Sequence, residues 1–155
     1  MGESDTTGAE TFPEGSLAGH LVWRLSLKWR TAVDRAVAPL GLTQATYSFV
    51  ASLYAMQREG RQPNQRELAE RTGLEALYVS KLARALEADG LIARVRDSAD
   101  TRAVRLTLTE RGEQAAREAI TVVQARLDTL LAPLGGTSGD AAAAFVEELR
   151  TLLAA

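Results

Sequence analysis

The 155-residue chain contains no cysteine, and that single absence removes disulfide frameworks, thiolate metal sites, thiol nucleophiles and cysteine-based peroxide sensing together. His20 is the only histidine. There is no glycine-rich phosphate loop, no paired-histidine metal motif and no nucleophile with a histidine in a recognisable frame. The Asp and Glu residues sit mostly on periodic, solvent-facing positions. These absences argue against an enzyme, and no metal or cofactor is expected. No apolar run approaches the roughly 20 residues needed to cross a bilayer, and the amino terminus lacks the basic and apolar regions of a signal peptide. The expectation is a cytoplasmic protein with no membrane partner.

A strong excess of either charge is missing too. The net charge is -2, which taken alone argues weakly against nucleic acid as a partner. The distribution matters more than the sum. Glu3, Asp5, Glu10 and Glu14 stand in residues 1–16 without a basic residue, and the Gly and Thr content there reads as a disordered acidic tail. Residues 64–109 carry eight basic side chains against seven acidic ones.

What the chain does have is 46% hydrophobic and 25% charged residues, enough for one globular domain with a real core. From Leu17 to about Pro39 the apolar residues recur at helical spacing. One stripe holds Ala18, Val22, Leu25, Trp29, Ala32, Val33, Ala36 and Leu40, while His20, Trp23 and Leu27 fall opposite. Two apolar faces predict a sandwiched helix, either between layers of its own fold or between its fold and another chain. Gly41 ends it and Thr43 caps the next, "QATYSFVASLYAMQ", which is apolar nearly all round and therefore central.

Asn64 and Glu67 stand at capping-box spacing ahead of a short helix closed by Gly73, and a further helix ends at Gly90. Two short helices joined by a tight glycine turn form a helix-turn-helix pattern. In the second, Val79, Leu82, Ala83 and Leu86 make the stripe for the core. Leu77, Ser80, Lys81 and Arg84 point away, with Tyr78 on one flank. "LIARVR" and "AVRLTL" then alternate as strands around a tip at residues 97–102, with Val104, Leu106 and Leu108 on one face and Arg105 and Thr107 on the other. A hairpin attached to a helix-turn-helix defines a winged helix.

Thr109 caps a long helix running to about Ala132, with Ile120, Val123, Leu127 and Leu130 in a seam. After Pro133, Gly135 and Gly136, a last helix carries Ala142, Phe145, Leu149 and Leu152 in another. Such seams call for a helical partner. A homodimer built from the two terminal regions is the economical inference, and an antiparallel pair within the chain is the alternative.

The order of these elements resembles the MarR family of bacterial transcription regulators, as do the strings "GLTQATYSFVASL", "NQRELAERTGL", "VSKLARALEADGLIAR" and "DTRAVRLTLTERG". The resemblance covers about residues 17–153. It implies a mainly α fold with a small β-hairpin wing. The expected division is a winged helix-turn-helix DNA-binding domain at 43–109, flanked by a dimerisation region at 17–42 and 110–155. The implied function is regulation of transcription through a pseudo-palindromic duplex site.

In that frame Ser80, Lys81 and Arg84 can donate to base edges or phosphates, and Leu77 can touch a thymine methyl, with Tyr78 beside them. Asn64 and Gln65, at a helix start, can bind a phosphate, although Asn64 as a plain N-cap serves equally well. Arg94, Arg96 and Arg105 on the hairpin would add sequence-independent affinity. The resemblance places Arg102 in or beside the minor groove, with Asp100 bracing Arg102 or Arg94 by a charge-assisted bond. The family commonly binds small aromatic or anionic effectors near its dimer helices. His20, Trp23, Arg24, Leu27, Tyr47 and Tyr54 are the candidates here, against the plainer reading that they are packing residues. A winged helix used for protein interaction without specific DNA binding is the rival reading.

Overall fold

In the computed structural model, which describes residues 13, 15–97, 99–100 and 103–155, the elements follow the order read from the sequence. They are α1 (Leu17–Val37), α2 (Gln44–Arg58), α3 (Gln65–Thr72), α4 (Ala76–Ala88), β1 (Ile92–Arg96), β2 (Val104–Leu108), α5 (Glu110–Leu130) and α6 (Asp140–Ala154). Single turns of 3-10 helix follow α1 and α5, each built on Ala-Pro-Leu and ended by a left-handed glycine, Gly41 or Gly135. Residues 1–12 and 14 of the expected tail, and Arg102 of the expected site, lie outside the described residues.

The caps explain where the helices begin. Thr43 Oγ1 accepts the Thr46 amide at 3.2 Å, and Asn64 Oδ1 accepts the Glu67 amide at 2.8 Å, each within a reciprocal capping box. Gly73 takes φ +75°, which lets α3 stop and α4 start within three residues. Thr109 ties three elements together. Its amide donates to the Leu91 carbonyl at 3.0 Å, its hydroxyl donates to the Gly90 carbonyl at 2.6 Å, and Oγ1 accepts the Gly112 amide at 3.1 Å to cap α5. The start of α5 is thereby pressed against Leu91, and a Cβ at residue 112 would overlap the Leu91 carbonyl oxygen. Gly112 is glycine because backbone occupies the space of any side chain.

One core joins all of this. Phe49, Val50, Leu53 and Met56 of α2 lie at its centre, with Val33 and Val37 of α1, Leu68 of α3, Val79, Leu82, Ala83 and Leu86 of α4, Leu106 and Leu108 of β2, and Ala116, Ala119 and Val123 of α5. The strands form an antiparallel pair with Ile92 opposite Leu108 and Arg96 opposite Val104. The outer edge of β2 is not left open, because the Leu106 amide donates to the Pro63 carbonyl and the Leu108 amide to Gln57 Oε1, both at 2.8 Å.

The expected stripe on α1 needs correction. Only its second half reaches the core, through Trp29, Val33 and Val37, the last of which the stripe omitted. Ala18, Val22 and Leu25 are exposed, as are Leu21, Trp23 and Leu27 on the other side. The first half of α1 therefore projects beyond the core and does not lie between layers of its own chain, the first of its two expected placements. Helix α6 is similar: Ala142 is buried, while Val146, Leu149, Leu152 and Leu153 stand out.

Candidate nucleic-acid interface

Helix α4 shows its two faces cleanly. Val79, Leu82, Ala83 and Leu86 are at most 8% exposed, whereas Leu77 is 84% exposed and Tyr78 42%. Lys81 and Arg84 are exposed beside them, and Ser80 is half-buried. Positions 77, 81 and 84 share one helical stripe opposite the core. A leucine standing almost fully in water on the same stripe as two cations is a surface waiting for a partner rather than part of the fold.

The described cations of residues 61–105 divide into two groups. Arg61, Arg66, Arg71, Arg94 and Arg105 each have a carboxylate within 4 Å. Among the described residues Lys81, Arg84 and Arg96 have no ion pair or hydrogen bond. These three are available to an external anion.

Other expected contacts are engaged internally. Asn64 is the half-buried N-cap of α3 with its Oδ1 already bonded, which is the plainer of its two readings, and Gln65 is the half-buried first residue of that helix. Arg94 turns toward Glu87 on α4, with Nε 3.6 Å from the carboxylate, and both Nε and Nη2 are buried without a hydrogen bond. The carboxylate beside Arg94 is thus that of Glu87, and the other expected brace, Asp100 on Arg102, falls on a residue outside the described ones.

Arg105, expected as a phosphate contact, is bound on three sides. Nη1 donates to Glu67 Oε1 at 2.9 Å and to the Gln62 carbonyl at 3.3 Å, while Nε and Nη2 donate to Asp97 Oδ2 at 3.2 Å. Asp97 also accepts the Ala99 amide at 2.9 Å. That amide, and then the Arg105 guanidinium, hold the Asp97 carboxyl below the usual carboxylate range. Sequence reasoning missed Glu87, Asp97 and the second role of Glu67, although the capping-box spacing had already singled out the last.

The effector candidates fall into two sets. His20, Trp23, Arg24 and Leu27 lie on the projecting half of α1, with Trp23 63% exposed. Tyr47 and Tyr54 are half-buried against the core from α2. Tyr54 accepts a hydrogen bond from Arg58 at 3.4 Å, and the Arg58 guanidinium lies 5.7 Å from its ring centre. Burial raises the Tyr47 phenol above its ordinary pKa, so at neutral pH it is a donor. A shallow hollow of about 460 Å³ is lined by Leu40, Gly41, Asp89, Leu91, Arg111 and neighbours on α5, and none of the six candidates lines it. No helix of the described residues is long and apolar enough to cross a membrane.

Comparison with known proteins matches residues 40–103 to the MarR family model. The uncharacterised HTH-type transcriptional regulator YdcH of Bacillus subtilis (strain 168) is 31% identical over 121 residues, which are 78% of this chain and 79% of that one. Among solved structures, the S. aureus MepR–DNA complex superposes with TM-score 0.78 at 24% identity, covering 93% of this chain and 98% of that one. The transcriptional repressor CouR bound to a 23-mer DNA duplex gives 0.72 at 27% identity, covering 92% and 99%. CouR from Rhodococcus jostii RHA1 bound to p-coumaroyl-CoA gives 0.72 at 27%, covering 88% of each chain.

Proposed function

The chain belongs to the MarR family of DNA-binding transcription regulators and is not an enzyme; from that premise we propose that it acts in the cytoplasm as a homodimer on a pseudo-palindromic duplex site. In this reading α4 enters the major groove, and the wing, with Arg96 near its tip and Arg102 in it, follows the backbone into the minor groove. The observation that carries it is the α4 face, where Lys81 and Arg84 stand unpaired beside exposed Leu77 and Tyr78 while the neighbouring arginines are tied to acids. Residues 43–109 bind DNA, and 17–42 with 110–155 join two copies.

The bare apolar residues of α1 and α6 support the dimer. They flank the winged helix in the sequence, and a second copy would cover both sets with one two-fold interface. Two α4 helices then have to sit about 34–36 Å apart to reach successive major grooves. An effector that binds better to a dimer of different spacing would release the DNA. CouR's p-coumaroyl-CoA supports an aromatic, anionic ligand class. The partner subunit would close Trp23, Arg24, His20 and Leu27 over Tyr47 and Tyr54.

The test is a gel-shift titration of the full chain at several salt concentrations, with its own upstream DNA and with random duplex. Binding that is tighter to the upstream DNA and falls steeply with salt is expected. No salt-sensitive binding to either duplex would overturn this reading in favour of a protein-interaction module.

A further inference from the structure

We propose that Arg105 is a positioning residue for DNA binding: it sets the wing's angle to the helix-turn-helix while touching no DNA itself. Its guanidinium sits on β2 but bonds to two other parts of the fold. Asp97 lies just past the end of β1, and Glu67 with the Gln62 carbonyl belongs to the start of α3. Four hydrogen bonds occupy four of the five donors a guanidinium has.

Both acids are held before Arg105 arrives. Glu67 closes the capping box onto the Asn64 amide and takes Arg61 at 3.3 Å, and Asp97 is fixed by the Ala99 amide. A pair of preset carboxylates needs little further ordering, so the usual entropic cost of a surface ion pair is reduced. The three side chains are also only 23–33% exposed, which limits screening.

Its place along the hairpin gives this tie its leverage. At Leu108 and Leu106 the strand is stitched to Gln57 and Pro63. Residue 105 comes next toward the tip. Beyond it, two backbone hydrogen bonds join the hairpin to itself, Asp97 amide to Ala103 carbonyl and Ala103 amide to Asp100 carbonyl, both 3.0 Å. Of the ties from β2 to the helices at Leu108, Leu106 and Arg105, the last lies farthest toward the tip. A small rotation there moves the far end of the hairpin by more than it moves the stitched strand below.

The experiment compares the parent with Arg105→Gln, and with Arg105→Lys in case the first folds poorly. A lysine keeps the charge but is a point donor that cannot serve two acids in a fork. Two quantities are read, amide hydrogen exchange along the wing and DNA affinity across salt concentrations. In both variants wing amides at 95–97 and 103–105 should exchange at least about tenfold faster, while Phe49 to Leu53 keep their protection. Affinity should fall about five- to tenfold with an unchanged salt slope, since no phosphate contact is lost. The loss should shrink when Glu67→Gln and Asp97→Asn are already present.

A slope reduced by about 0.9 per site, with wing exchange unchanged, would make Arg105 a phosphate contact and overturn the proposal. Unchanged affinity would also overturn it, with or without a loosened wing. The DNA arm rests on the function proposed above. If the parent itself does not bind duplex, that reading fails, and the exchange measurement still decides whether Arg105 holds the wing.

Discussion

Val79, Leu82, Ala83 and Leu86 of α4 are at most 8% exposed, whereas residues of the same kind in the first half of α1, Leu21, Val22 and Leu25, are 39–60% exposed. Both sets repeat at helical spacing, and nothing in the pattern alone separates them. In the winged helix the apolar stripe is closed by the same chain, through α2, α3 and the hairpin. In the terminal helices it is left open. An amphipathic stripe thus states that a face will be covered, and only the arrangement of the rest of the molecule states by what.

The comparison predicts a graded set of effects. The largest belongs to the closed region. Gly112→Ala forces a methyl into the Leu91 carbonyl, and a loss of about 3 kcal/mol is expected, seen as a fall of about 10 °C in the melting midpoint by calorimetry. A midpoint within about two or three degrees of the parent's, a loss of only roughly 1 kcal/mol, would mean that the α5 start relaxes easily and that the interior is not tightly closed there.

Next comes the open region. Leu21→Asp with Leu149→Asp should leave the winged helix folded by circular dichroism and weaken self-association at least about 100-fold, measured by sedimentation equilibrium. If the doubly substituted protein stays as dimeric as the parent, the bare faces are not the interface. Smaller effects fall on the α4 surface, where Lys81→Ala and Arg84→Ala should each cost about tenfold in DNA affinity and reduce the salt slope by about 0.9. Melting should not change, because neither side chain has a partner to lose among the described residues.

Acid titration probes the ties between elements. The Ala99 amide and Arg105 depress Asp97, and the Arg71 guanidinium depresses Glu59. A depressed carboxyl stabilises the fold above its unfolded pKa of about 4 and stops doing so as pH falls through its lower folded value. Stability should therefore hold from neutrality to the ordinary carboxylate range and drop below it, with the drop smaller in Asp97→Asn. The smallest effect is expected at the exposed Arg66–Glu70 pair, where Glu70→Gln should change stability by less than about 0.5 kcal/mol in urea titration.

Much of the fold was legible because the deciding chemistry is local. Thr43, Asn64, Gly73 and Thr109 mark helix ends within four residues of the bonds they make, and the α4 stripe reads straight from spacing. The candidate interface was legible on α4 for the same reason. The hairpin arginines were not. Arg105 meets Glu67 across 38 positions and Leu108 meets Gln57 across 51, and no sequence period links such residues. An arginine on a wing looks the same in sequence whether it faces phosphate or a carboxylate of its own chain.

The sequence by itself determined the order and caps of the helices, the hairpin, the core stripe of α4 and the lack of catalytic or metal-binding groups in any recognisable motif, since these follow from short-range backbone chemistry and composition. The tertiary structure decided which arginines remain free, why residue 112 must be glycine, and that half of α1 and most of α6 stand uncovered by their own chain. Those outcomes depend on which distant segments come to share a space, and a charge or a methylene is satisfied or exposed only by what is packed against it.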